Sequence, residues 1–415
     1  MSQQLGLEIT GAHPSTQQEQ DGGRWKPHWL HCGHASAVAD PVEAWRRFVV
    51  EHPSASVYFM PDIALLPGQN VCEPVVYAHW QDGGKLTGLA ILPTRSLRLT
   101  IVPGAHTSLP GRRLLENEPL TDGTDDLLNE FAASACTILD APGMDCLILP
   151  DAEAESPLRP ALARIAREKH LLFRELATPA PHRWIRFPDR PEEYWSQFSK
   201  KTRYNFRYRA KHLEHTVRRI EAPEEIEEFV KLIDGLISRT WQHHRLGLKI
   251  DIGQKLELWR EIAKLGAFRS YLLMQGDRAI AFAMGVQWKG RFTYEDTGYD
   301  QEFAAKSPGQ VLLYRVIEDL IAQDTPRLLD FGYGENEYKR IYSNHETLSG
   351  PVVIVRNAMF PCMAVRASQL RSATGRAARA MLARTGAMSL VRHLHRGHVR
   401  IGRTRSPEAP VTVEG

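Results

Sequence analysis

The 415-residue chain has few cysteines: Cys32, Cys72, Cys136, Cys146 and Cys362, with no Cys-x-x-Cys among them. An odd and scattered set supports neither a disulfide framework nor a zinc site. No apolar run reaches the roughly 18 residues that a membrane-spanning helix needs. The opening MSQQLGLEITGAHPSTQQEQDGG lacks the basic start and apolar block of a secretion signal. These absences favour a cytoplasmic protein, at most peripheral at the inner membrane face, with no metal. Acids are missing from one region too: Thr347 to Pro407 holds eleven Arg and no Lys, Asp or Glu. The other 41 basic residues face 49 acidic ones, so an acidic body of net −8 carries an arginine-rich tail.

What is present suits a globular protein: 43% hydrophobic and 24% charged residues, over a length that favours two folded units. Residues 1–28, rich in Gln, Ser, Gly and charge, are expected to be disordered. Residues 29–180 read as helix (40–52), strand (55–60), hairpin (75–95), helix (125–140), strand (145–150) and helix (157–172). Residues 181–360 repeat the order imperfectly. They run from a strand at 182–188 through a long basic helix (191–215) and two more helices to three strands over 268–300. A helix (307–323) and the strand Arg327–Gly334 follow. The pattern predicts an α/β or α+β layered fold of two similar halves, with 361–415 as the basic tail.

Three stretches hold the candidate chemistry. In "KSPGQVLLYRVIEDL" (306–320), Ser307 can cap a helix start, Pro308 suits its first turn, and Gly309 admits a ligand close to the backbone. Free amides there, with the helix dipole, would cradle a phosphate. In "YEDTGYD" (294–300), Glu295 and Asp296 are strand neighbours, so alternation allows at most one of them to face a cleft. In "LLDFGYGENEYKR" (328–340) a strand ends in Asp330, and glycines bracket Tyr333 ahead of Tyr338 and Lys339. The stretch "SKKTRYNFRYRAKHL" (199–213) places Lys200, Arg203, Arg207 and Lys211 on one helical stripe, with Tyr204, Phe206 and Tyr208 interleaved. His243-His244, beside Trp241, reads as a structural pair at a helix end.

Taken together, "YWSQFSKKTRYNFRYRAKHLE" (194–214), "YEDTGYDQEFAAKSPGQVLLYRVIEDL" (294–320) and "LLDFGYGENEYKRIYSN" (328–344) resemble the GNAT N-acyltransferases. More narrowly, they are similar to the branch associated with cellulose and exopolysaccharide biosynthesis (CelD-like), which is related to the FemAB peptidyltransferases. The resemblance covers about 180–345. It implies tandem GNAT-like halves, each a mixed, mainly antiparallel sheet flanked by helices. It also implies a cleft between two splayed strands that holds an acyl-CoA thioester. The implied donor site is Ser307, Gly309, Gln310 and Lys339, and the implied acceptor contacts are Tyr338, Tyr333, Arg203 and Arg207. The phosphate turn departs from the family's Gln/Arg-x-x-Gly-x-Gly/Ala pattern, with Ala304 and Ser307 at two of its positions.

Acyl transfer to an amine needs a base, an oxyanion donor and a proton for the leaving thiolate. Glu295 or Asp296 is the candidate base, Tyr299 the candidate acid, and Asp330 the group that orients the acceptor amine or pairs with Lys339. The reading is an N-acyltransferase taking acetyl- or longer acyl-CoA. Two alternatives stay open. One is a FemAB-like transferase using aminoacyl-tRNA. The other is a non-catalytic scaffold of polysaccharide assembly. The basic helix and tail would then meet tRNA or an anionic membrane.

Overall fold

Tight turns at Gly276 and at Lys289-Gly290, all with positive φ, connect three strands: Ser270–Gln275, Arg278–Trp288 and Arg291–Tyr299. A computed structural model describes them together with the rest of residues 8–10, 20–21, 24–33, 38–67, 74–102, 104–121, 124–240 and 252–384. Alternation sends Leu272, Phe282, Met284 and Val286 to one face and Tyr271, Leu273, Ala281 and Ala283 to the other. Both faces are buried. The first packs on Phe229, Ile233, Trp259 and Ile262 of two helices, and on Trp45, Val57 and Phe59 from the N-terminal region. The second packs on the helix Pro308–Gln323 through Leu312, Leu313, Val316 and Ile317.

The sheet continues beyond this meander. Arg291–Tyr299 pairs in parallel with Leu328–Tyr333, which runs antiparallel to Ala180–Arg186. That strand pairs with His345–Val355, which in turn pairs with Cys146–Glu153, all antiparallel. The result is part of a 12-stranded sheet, beside a 4-stranded one built on Val75–Gln81 and Lys85–Leu92. The mixed α/β fold thus stands, with one addition: His345–Val355 joins strands from both expected halves into a continuous sheet. In the structure Pro351 falls where the register slips between Leu149 and Ala152, so its missing N–H leaves no gap in the ladder.

Other expectations are corrected. Residues 55–60 form no strand: Val57–Phe59 is a 3-10 turn and Pro61 starts a short helix. Burial of Val57 and Phe59, and the Trp45 indole N–H donating to the Phe59 carbonyl at 2.6 Å, decide this. The long helix over 191–215 is two elements, the 3-10 turn Pro191–Gln197 and the helix Lys200–His212. Ser199 caps the latter by accepting from the Thr202 N–H at 3.1 Å. Within the lead, Glu8–Thr10 pairs with Ser96–Arg98. His243 and His244 lie outside the described residues, as does the tail beyond 384.

Residues Met1–Arg98 and Ser108–Cys362 form one compact unit. A second comprises Leu99–Thr107 and the chain from Met363, where Arg371 of the helix Met359–Arg384 donates to the Thr100 carbonyl at 3.0 Å.

Gly285, in the middle of the meander, has no room for a side chain. A Cβ there would lie 2.3 Å from the Phe292 ring and 2.9 Å from the Arg269 carbonyl oxygen. Gly285→Ala is expected to lower stability by about 1–3 kcal/mol through overpacking, as measured by urea unfolding.

Candidate functional site

The register between Arg278–Trp288 and Arg291–Tyr299 slips next to Gly285. Ala283 faces Thr297 and Gly285 faces Tyr294, so Glu295 and Asp296 share the place opposite Met284. This is a β-bulge, and it breaks the alternation that would have sent one carboxylate to each face. Both reach one cluster. The Tyr58 hydroxyl donates to Glu295, and Lys255 Nζ donates to Asp296 at 2.9 Å. Burial pushes the Glu295 carboxyl up to about 7, against the opposing pull of the Tyr58 hydrogen bond and the Lys255 charge; Asp296 and Glu116 push it further up. Burial would lower Lys255, but the Asp296 charge and hydrogen bond prevail and raise it.

Pairing between Arg291–Tyr299 and Leu328–Tyr333 covers only three positions, Arg291↔Leu328 to Thr293↔Asp330. Beyond them the strands part. Asp330 sits at that point, 3% exposed. Its carboxylate accepts from His182 Nε2 at 2.6 Å, from the Gly332 N–H at 2.7 Å and from Arg291. Burial alone would raise Asp330; the hydrogen bond and charge of His182 and the charge of Arg291 overrule it and hold it well below the usual carboxylate range. His182 is raised in turn: its burial is outweighed by Asp330 and by Asp151, which lies 3.5 Å from Nδ1.

Asp330 does not pair with Lys339. The ammonium of Lys339 is fully buried and donates to the carbonyls of Gly332 and Tyr333 at 3.0 Å each. Burial pushes it down to about 8. Lys339 therefore closes the loop after the strand rather than offering a charge to a phosphate, which corrects its expected place in the donor site. Tyr338, beside it, packs its ring against Tyr294 and Phe331 where the strands part, while Tyr333 is half-buried.

The turn before the helix Pro308–Gln323 is held by Asp300, 2% exposed, which accepts from Arg239 at 2.7 Å and Arg278 at 2.6 Å. Ser307 adopts the left-handed region, φ 53°, and its hydroxyl makes no cap, contrary to expectation. Its carbonyl instead accepts from the Gln310 and Val311 N–H groups at 3.0 and 3.1 Å. Pro308 has no N–H, and the Tyr299 ring is packed against Gly309. Arg209 reaches the Gln310 side chain. On the same helix as Arg209, Arg207, Tyr204 and Tyr208 are exposed, and half-buried Arg203 turns to the Trp195 carbonyl at 3.5 Å.

On the sheet face away from that helix lies a cavity of about 370 Å³ whose wall includes Asp330, Arg291, His182, Glu116, Glu118 and Glu153. Burial raises both Glu116 and Glu118. Glu116 has Arg291 and Arg113 to oppose this, whereas among the described residues neither Glu118 nor Glu153 forms an ion pair. Sequence reading missed Tyr58, Lys255, His182, Arg291, Asp151 and Glu116. Tyr58 is 237 positions from Glu295 and His182 is 148 from Asp330, so no local pattern links them.

Asp330→Asn is expected to destabilise the protein by about 3 kcal/mol at pH 7, by leaving Arg291 and His182 without the carboxylate that they meet. That is the low end of the usual range because the Arg291 side chain stays 41% exposed. A depressed carboxyl contributes stability above its unfolded value, so the gap between wild type and variant should close as pH falls below about 4. Chemical denaturation across pH checks both.

Residues 200–340 match the family model described as an acetyltransferase (GNAT) domain. No curated protein matches the chain. Among solved structures it is similar to FemX, with TM-score 0.54 and 14% identity over 77% of this chain and 97% of that one. The C-terminal domain of a putative lysylphosphatidylglycerol synthetase from Agrobacterium fabrum gives TM-score 0.46 and 12% identity, over 80% and 95% of the two chains. L-PGS from Bacillus licheniformis gives 0.46 and 13%, over 80% and 96%. Residues 200–340 are thus similar to GNAT acetyltransferase domains, and the chain shares its fold with FemX.

Proposed function

We propose that the protein is an N-acyltransferase that moves an acyl group from acyl-CoA to an amine by direct attack. One observation carries this reading: strand pairing stops at Thr293↔Asp330, two residues before the bulge that turns Glu295 and Asp296 to the same face. Glu295 is the assigned general base, since a carboxyl near 7 can take the amine's proton at neutral pH. The amine nitrogen bonds to the acyl carbon, the carbon–sulfur bond breaks, and the thiolate leaves. The bulge drops a residue from the ladder, and its amide is assigned to the oxyanion. Tyr299, against Gly309, stands at the donor end and is assigned to protonate the thiolate. Ser307, Gly309 and Gln310 form the phosphate end, and the cavity beside Asp330 receives the acceptor. The catalytic half is assigned to 181–360 and the accompanying half to 29–180.

A second donor is favoured by two observations. Pro308 has no N–H and the Gln310 and Val311 amides are taken by the Ser307 carbonyl, which leaves little for a diphosphate. The helix Lys200–His212 exposes Tyr204 and Tyr208, 63% and 48%, among cations and no acids, a surface on which RNA bases can stack. Aminoacyl-tRNA is therefore the alternative to acyl-CoA. Exposed Met363, Leu370 and Met381 on the arginine-bearing C-terminal helix suit an anionic membrane face. No described helix is long and apolar enough to cross a membrane.

Acetyl-CoA or a longer acyl-CoA at 100 times its dissociation constant is expected to stabilise the protein by about 2.7 kcal/mol in a thermal shift. Gly309→Trp should abolish that gain. Failure of every thioester, with hydrolysis of charged tRNA present, would install the second donor. Glu295→Gln is expected to cut turnover roughly 10²–10⁴-fold while donor binding persists, as followed by thiol release.

A further inference from the structure

The segment that follows the helix Pro41–Glu51 is pinned against the acetyltransferase domain at two places. At the first, Lys289 sits in the hairpin turn with φ 48°, and its ammonium donates to the carbonyls of Val49, Val50 and His52 at 2.6, 2.5 and 2.7 Å. These carbonyls belong to the C-terminal end of the helix, where a cation is favoured. At the second, the 3-10 turn Val57–Phe59 drives Val57 and Phe59 into the core, 1% and 2% exposed. Tyr58, between them, is thereby aimed at the bulge and donates its hydroxyl to Glu295.

We propose that Tyr58 is a positioning residue that fixes the Glu295 carboxylate, so that the N-terminal half completes the site. This rests on the assignment of Glu295 as base. The other ionisable groups acting on Glu295 are Lys255 from the helix Ile252–Lys264, Asp296 from its own strand, and Glu116 from the loop after the strand Ala105–Arg113. Lys255 is already engaged by Asp296. Tyr58 is therefore the neutral donor to Glu295, and its removal changes hydrogen bonding at that carboxylate without changing any charge in the cluster.

The sign follows. A donated hydrogen bond favours the ionised carboxylate, so its loss makes Glu295 harder to ionise. The experiment is Tyr58→Phe in the full chain, with carboxyl-¹³C-glutamate labelling and the Glu295 resonance assigned by its loss in Glu295→Gln. In the wild-type protein the titration midpoint should lie near 7. In Tyr58→Phe it should rise by roughly one pH unit, the size of one hydrogen bond to a charged group. The acid limb of kcat should rise with it, while KM for the acyl donor holds. An unmoved Glu295 midpoint in a folded Tyr58→Phe protein overturns the proposal.

Lys289→Ala gives an independent reading if Tyr58→Phe does not fold. It releases the first pin without touching the cluster, and should move the same midpoint in the same direction by less. A Glu295 signal that ignores it overturns the proposal equally. A shifted midpoint in a protein that turns over no thioester and no charged tRNA upholds the pairing of Tyr58 with Glu295 and removes the transferase reading alone.

Discussion

A buried carboxylate left without partners costs several kcal/mol, and Asp330, buried in the middle of the sheet, is held by two. Its partners come from different strands: His182 from Ala180–Arg186, Arg291 from Arg291–Tyr299. His182 passes the linkage to Asp151 on Cys146–Glu153, and Asp151 accepts from the Ser349 hydroxyl on His345–Val355 at 2.7 Å. Five strands are thus tied through one chain of charges. The chain of charges lies where the sheet stops being continuous, at the last paired position of Leu328–Tyr333 with Arg291–Tyr299. Ion pairing here does what ladder hydrogen bonds no longer can.

Once the two strands part, the bulge decides which groups face the opening. Had the alternation continued, Glu295 and Asp296 would have looked to opposite faces, one of them into the apolar core behind the helix Pro308–Gln323. The extra residue keeps both carboxylates among polar partners. That arrangement in turn needs a bare Gly285 nearby, because the Phe292 ring occupies the space a side chain would take. Backbone register, a glycine and a pair of acids are therefore one constraint seen at three levels. The cavity wall adds acids, Glu118 and Glu153, that form no ion pair among the described residues, although the charge of Glu153 acts on Arg291.

Much of this was legible in the sequence wherever the physics is local. The Gly-Asp and Lys-Gly turns marked the meander, and Pro308-Gly309 marked the helix start. Lys339 shows where local reasoning stops. Glycines upstream permit close approach of a ligand, yet the same glycines turn the Gly332 and Tyr333 carbonyls inward, and the ammonium follows them. Ser307 had the right side chain to cap, but a left-handed backbone made its carbonyl the acceptor instead. Residues 55–60 had strand composition, and core burial of alternate residues in a single tight turn prevailed.

The sequence by itself determined the layered α/β character, the three-strand meander, the start of the helix Pro308–Gln323 and the acids beside the strand ends. Each depends on periodicity, turn chemistry or capping within a dozen residues. Only the tertiary structure decided that Glu295 meets Tyr58, that Asp330 meets His182 and Arg291, and that His345–Val355 stitches the sheet together. Those pairings join residues far apart in the chain. They come from burial, which compels polar groups without water to find whichever partner the fold brings near.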